Sequence, residues 1–165
     1  SATLRSVLLM SPDLGKSWTE PFERIGGATI DHLYFFDEET GWAAGQLVQP
    51  LPRDPFILVT TDGGANWRRR PVFSEAGSGA IDHFVFASRT DGSLWIDRSH
   101  SGEEGARFER WETTTGGEVW MLREALNRPP PAPPARQTSM RRSSGFNSTS
   151  TSSASGKTAT VMVEV

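Results

Sequence analysis

Runs of apolar, aromatic and Thr residues alternate with clusters of Gly, Pro, Asp and Ser along the first three quarters of the chain. Short runs of that composition, closed off by turn residues, read as strands and hairpins. The pattern places strands at 28–36, 41–48, 55–60 and 67–73, and a second set at 80–86, 93–98, 106–113 and from Trp120 onward. A further run, 5–10, precedes them. The connection after residue 48 holds Pro50, Pro52 and Pro55, where a missing N–H does no harm and a stiff loop is useful. Its counterpart in the second set, 99–105, is polar.

The two sets repeat one unit. Ser11-Pro12-Asp13-Leu14-Gly15-Lys16-Ser17-Trp18 returns as Thr60-Thr61-Asp62-Gly63-Gly64-Ala65-Asn66-Trp67 and, more loosely, as Thr113-Thr114-Thr115-Gly116-Gly117-Glu118-Val119-Trp120. Their third positions fall at 13, 62 and 115, in steps of 49 and 53 residues. A second landmark keeps the interval, since Ile30-Asp31-His32 and Ile81-Asp82-His83 lie 51 residues apart. Strands repeating at that period point to four-stranded units arrayed about an axis. Each eight-residue motif reads as a hairpin connection. Gly15, Gly64 and Gly117 supply positive φ, and Asp13 and Asp62 accept hydrogen bonds from loop N–H groups. Ser11 and Thr60 bond the same loops, while Trp18, Trp67 and Trp120 fold back over them, with Trp18 and Trp67 expected to be largely buried. Thr115 stands where the other copies have Asp, and a hydroxyl replaces only some of the acceptor bonds, so the third loop is expected to be looser.

The pattern Ser-x-Asp-x-Gly-x-Ser-Trp resembles the Asp-box, also called the bacterial neuraminidase repeat. Gly41-Trp42-Ala43-Ala44-Gly45, with the strand before it, is similar to the Gly-Trp-Ala-x-Gly strand of photosystem II stability and assembly factor-like propellers. The likeness covers residues 5 to about 125 and implies an all-β fold, a partial β-propeller of about two to three four-stranded antiparallel blades. In these families the box is a structural loop at the blade periphery, and the fold hosts hydrolases, receptors and assembly scaffolds alike. The resemblance also suggests a periplasmic or secreted protein.

At about 50 residues per blade the chain holds two full units and parts of a third, short of the four or more that close a ring. The remaining blades are expected from a longer chain or from self-association. Residues 1–127 form the propeller part on this reading. Residues 128–157, opening on Arg128-Pro129-Pro130-Pro131, form a Pro-rich and then Ser/Thr-rich linker or disordered tail, and 158–165 a terminal strand able to add to an exposed edge. A formal net charge of −3 gives no electrostatic case for nucleic acid, and the absence of cysteine excludes disulfides and thiolate metal sites. No signal peptide or membrane-spanning run is visible, and no cofactor or metal is expected.

Candidate chemistry is sparse. A sialidase needs an Arg cluster and a Tyr nucleophile paired with Glu, but Tyr34 lies within an apolar strand and reads as core. Other propeller glycoside hydrolases use two carboxylates, and Asp31, Asp37, Glu38 and Asp82 are the acidic residues near strand ends. The doublets Asp31-His32 and Asp82-His83 would stand side by side at a channel mouth, where they read as blade structure or as an acid-lined, pH-responsive or metal-binding rim, with blade structure favoured. Strict alternation puts His32 on one face with Ile30 and Tyr34. Arg68, Arg69 and Arg70 on an outer strand can bind carboxylates of a partner or serve to keep the edge unpaired. The reading favoured is a non-catalytic protein-binding or assembly scaffold with no catalytic residue assigned, and the alternative is a fragment of a propeller-type glycoside hydrolase.

Overall fold

The computed structural model describes residues 4–48, 51–100, 107–132, 139–143, 146–152 and 158–164. Pro50 and most of the 99–105 connection lie outside the described residues. The strands are β1 (Arg5–Ser11), β2 (Ile25–Gly26), β3 (Ala28–Phe35), β4 (Gly41–Leu47), β5 (Arg53–Thr60), β6 (Arg68–Pro71), β7 (Ala80–Phe86), β8 (Gly92–Asp97), β9 (Phe108–Thr113), β10 (Met121–Leu126), β11 (Ser139–Ser143), β12 (Phe146–Ser152) and β13 (Thr158–Glu164). Two of the three sheets are four-stranded antiparallel meanders in chain order, a first blade β3-β4-β5-β6 and a second blade β7-β8-β9-β10. The third, terminal sheet has the order β11-β12-β13-β1-β2. Both halves of the chain build it: β13 lies antiparallel to β1, pairing Leu8 with Val161. Within the stretch whose composition reads as linker or tail, β11 and β12 pair as a hairpin.

The sheets stack face to face as in part of a propeller, and the first blade is the middle layer. One core lies between it and the terminal sheet, with Leu8 and Met10 of β1 against Leu33, Ala43, Phe56 and Leu58. A second core lies between the blades, with Trp42, Ala44, Ile57 and Val59 against Phe84, Phe86, Leu94 and Ile96. A strand covered on both faces has no solvent side to give to polar residues. This is why Gly41 to Gln46 in β4 are all buried. By the same rule β10, covered on neither face by the described residues, is exposed over most of its length.

The innermost strand of each blade carries the same irregularity. Pairing of β3 with β4 shifts between Ile30 and His32, and pairing of β7 with β8 shifts between Ile81 and His83, so Asp31 and Asp82 are the extra residues of two equivalent β-bulges. A bulge resets side-chain alternation. Ile30 therefore faces with Leu33 into the first core. His32 pairs with Ala44 and faces with Tyr34 toward the second core, as alternation expects, and the correction falls on Ile30, which the bulge puts on the opposite face. Opposite the first bulge the backbones approach closely, and a Cβ on Gly45 would sit 1.9 Å from the Thr29 carbonyl oxygen.

Candidate functional site

The three motif loops share one bonding scheme. The opening hydroxyl of each, Ser11, Thr60 or Thr113, accepts the N–H four residues on, from Gly15, Gly64 or Gly117, at 2.8 to 3.0 Å. Asp13 Oδ1 accepts the Ser17 N–H and Asp62 Oδ1 the Asn66 N–H, at 2.8 and 2.9 Å. Their second carboxylate oxygens accept the Ser17 hydroxyl and the Asn66 amide. Each Trp indole N–H then donates to the carbonyl three residues before it: Trp18 to Gly15, Trp67 to Gly64 and Trp120 to Gly117. Thr115 takes over the Asp role with its hydroxyl, which accepts the Val119 N–H at 2.9 Å. The third loop therefore keeps the geometry of the others, with φ of +95° at Gly117 against +92° at Gly64, and lacks only the second acceptor oxygen. The position before each Gly is left-handed too: Gly63, Gly116 and, against the usual preference, Leu14 at φ 60°.

Trp67 and Trp120 are buried, but Trp18 is 42% exposed, which corrects the expectation of burial. The cause is the neighbour, because each loop is received by the sheet preceding it. A Cβ on Gly64 would meet the Met10 side chain of β1, and one on Gly117 would meet Trp42 and Val59 of the first blade. Trp42 donates its indole N–H to the Gly116 carbonyl at 2.8 Å. For the first loop, a Cβ on Gly15 would meet only Trp18 of the same loop.

The Asn66 side chain and main-chain N–H hold the Asp62 carboxyl below its ordinary value, and the Ser17 hydroxyl and N–H do the same for Asp13. Asp62 and Asn66 are exposed, so the Asn66 donors freed by removal of Asp62 are rehydrated, and only the hydroxyl of the buried Thr60 loses an acceptor that water does not replace. Asp62→Ala is accordingly expected to lower stability by about 1 kcal/mol and Asp62→Asn by less, as measured by urea unfolding. An Asn variant as damaging as Ala would count against the acceptor role.

The arginine cluster is divided by alternation on β6. Arg68 and Arg70 point toward the second blade, and both bond the carboxylate of Glu118 in its motif loop. Partial burial pushes the Glu118 carboxyl up, and the bonds from Arg70 and Arg68 more than offset this and hold it below its ordinary value. Two of the three cations are thus engaged in joining the blades. They lie on an edge strand, as expected, and their partner, some 50 residues away in sequence, is not legible from the cluster itself. Arg69 faces the other way, with its guanidinium 4.4 Å above the Phe56 ring.

The first doublet also joins the blades, whereas the contacts of the second stay within its own blade. Asp31 Oδ2 accepts hydrogen bonds from Thr29 Oγ1 and from the Gln46 amide, and Gln46 Oε1 accepts the Ile81 N–H of the second blade at 3.2 Å. His32 Nε2–H donates to the Ile81 carbonyl at 3.1 Å. Asp82 holds His83 through Nδ1 at 2.6 Å, and the His83 ring stacks on Trp95 at 4.5 Å. Gln46, which the sequence does not single out, is the residue that ties Asp31 to the neighbouring blade. Of the other candidates, Asp37 is bonded by Arg89 across the blades and by two N–H groups of its own turn. Tyr34 stacks on Trp42, as its core reading expects. Among the described residues no group of three or more His, Cys, Asp or Glu is placed to hold a metal ion.

Burial lowers the proton affinity of His32; Asp31 opposes that effect. A folded state that resists protonation is fully stable above the ordinary His value of about 6.5 and loses stability as pH falls below it, by at most about 1.4 kcal/mol per pH unit for one proton. His32→Gln, whose amide keeps the bond to Ile81, is expected to flatten the fall between about pH 6.5 and 5. Unfolding curves of the two proteins that stay parallel across that range would refute the assignment.

At the opposite end of the first blade from its motif loop, the segment after β6 folds back on the start of β5. Asp54 (φ 47°) donates its N–H to the Gly77 carbonyl at 2.7 Å and accepts the Gly77 N–H on its carboxylate at 3.0 Å. The fold-back encloses an open groove of about 410 Å³ whose floor and walls include Pro55, Phe56, Pro71 and Phe73, with Arg69 and Glu75 at its rim. Sequence spacing gives no sign of it, because its walls are brought together by the β5–β6 ladder and by backbone bonds from Gly77 and Gly79 back to Asp54 and Pro52.

No family model matches the chain, and no curated protein matches it. A solved structure described as YCF48 bound to D1 peptide is similar, with 18% sequence identity and a TM-score of 0.46. The match covers 82% of this chain and 41% of that one, so the chain spans less than half the length of that relative.

Proposed function

We propose that this chain is part of a non-catalytic protein-binding scaffold, an Asp-box propeller similar to the photosystem II assembly factor-like group. Its second and third motif loops serve to join sheets, and binding occurs in the groove that the segment after β6 forms with β5 and β6. The observation that carries this reading is the groove itself, an apolar channel of two prolines and two phenylalanines held open by the Asp54–Gly77 clasp. Preorganised apolar channels suit an extended segment of a partner protein, whose ordering is the main opposing term in binding. Arg69 presents its guanidinium from the Phe56 ring and selects a segment bearing a carboxylate. The carboxylates a hydrolase would use support the scaffold reading instead, because Asp31 and Asp37 bond partners within or across the blades and Asp82 bonds His83.

A displayed library of random peptides selected on the purified protein tests the proposal. Enriched peptides are expected to be acidic and apolar, and to bind Phe73→Ala and Arg69→Glu roughly tenfold or more weakly than the parent, a loss of about 1.4 kcal/mol. A library that yields no binder, or binders indifferent to both changes, overturns the groove. Glycoside turnover abolished by Asp31→Asn or Asp82→Asn overturns the scaffold reading altogether.

A further inference from the structure

The second blade ends in a face that is built to receive a motif loop and receives none among the described residues. Its outward positions correspond one by one to those of the first blade that accept the loop at 113–120. Strand register equates Val85, Ser93 and Glu112 with Tyr34, Trp42 and Val59. It also equates Met121 and Glu124 with Arg68 and Arg70, because a bulge in β10 skips Arg123. Where Trp42 fills the first blade's receiving site, Ser93 leaves an open depression of about 440 Å³ walled by Val85, Trp95 and Glu112.

The loop at 11–18 is altered in the complementary sense. Where the loop received by Trp42 has Gly116, this one has Leu14, 76% exposed and held at φ 60°, a conformation that a Leu enters only at a cost. A larger side chain on the loop matches the smaller one on the sheet. Charge is exchanged as well: the third loop brings Glu118 to Arg68 and Arg70, and the first loop has Lys16 at that position, opposite a β10 that has Glu124, a half-exposed carboxylate that Arg110 also bonds at 3.2 Å. Exposed apolar residues lie at both ends, Trp18 on the loop and Met121 beside the depression.

We propose that the loop at 11–18 of one copy of this chain docks into the open outer face of the second blade of another copy, head to tail. Leu14 fills the space above Ser93, Trp18 packs over Met121, and Lys16 pairs with Glu124. The contact is heterologous, so it closes into a ring where the rotation allows and otherwise extends.

Sedimentation velocity of the purified chain over a concentration series tests this. The parent is expected to associate by about 100 μM, and Leu14→Asp, a residue type that tolerates left-handed φ, is expected to remain a monomer with an unchanged circular dichroism spectrum. Lys16→Glu is expected to weaken association roughly tenfold, and Glu124→Lys in the same chain to restore it. A parent that stays monomeric overturns the proposal, as does association that survives Leu14→Asp or a charge reversal that Glu124→Lys fails to rescue.

Discussion

Trp42→Ala is expected to destabilise the protein by about 3–5 kcal/mol, the largest effect of any single side-chain truncation in the chain. Trp42 is 0% exposed at the centre of the core between the blades, with its ring parallel to Phe86 at 3.4 Å between centroids. Its indole N–H satisfies the Gly116 carbonyl, and its edge supports Gly117 in the same loop. Truncation opens a cavity, leaves that carbonyl without its partner and removes the floor on which the third motif loop rests, so the blades lose packing and register together. Trp42→Phe keeps most of the ring and drops the hydrogen bond, and is expected to cost about 1–2 kcal/mol. Urea unfolding followed by circular dichroism measures both. A Trp42→Ala loss below about 1 kcal/mol would show that this ring does not hold the blades together.

Gly45→Ala should be nearly as damaging, although it adds a single methyl group. The new Cβ meets backbone, with the Thr29 carbonyl oxygen at 1.9 Å and the Ile30 Cα at 2.9 Å, so no side chain can swing aside to relieve the clash. β3 and β4 must separate at the bulge, and Asp31, bonded there by Gln46, moves with them. We expect a loss of about 3 kcal/mol and, because the bulge positions His32 and Gln46 against Ile81, weaker coupling between the blades. Gly26→Ala is the control: a Cβ there meets nothing within 4 Å, and its cost is expected to stay under about 0.5 kcal/mol. Equal stability of the two variants would mean that β3 and β4 tolerate a wider spacing than the bulge implies.

The strands of both blades lie within about two residues of where the alternation of apolar runs and turn residues places them, and two of the motif loops carry the Asx-type bonds that their Asp residues foretell. Both are short-range properties. A strand between turn clusters and a carboxylate accepting the N–H four residues on are set by a handful of neighbours in the chain. The pairing of Thr115 with Val119 is local in the same way, which is why a hydroxyl preserves a loop that composition alone made look looser.

What the sequence by itself determined is the repeated unit: four strands, a loop closed by its own hydroxyl, Asp and Trp, and a period near 50 residues. Only the tertiary structure decided what each copy of that unit touches. Trp18 and Trp67 occupy equivalent positions in equivalent loops, yet one is exposed and the other buried, because Met10 lies beneath the second loop and no such neighbour supports the first. Arg68 and Arg70 read as an exposed cluster until Glu118 arrives from the next blade, and Ile30 and His32 part to opposite faces because one residue bulges between them. The groove at Phe73 exists because the segment after β6 folds back onto the start of β5, with Asp54 bonded to Gly77 across 23 residues and Pro52 to Gly79. Backbone propensity and turn chemistry act over a few residues, whereas burial, ion pairing and strand register depend on which sheet lies alongside, and that is fixed only when the sheets stack.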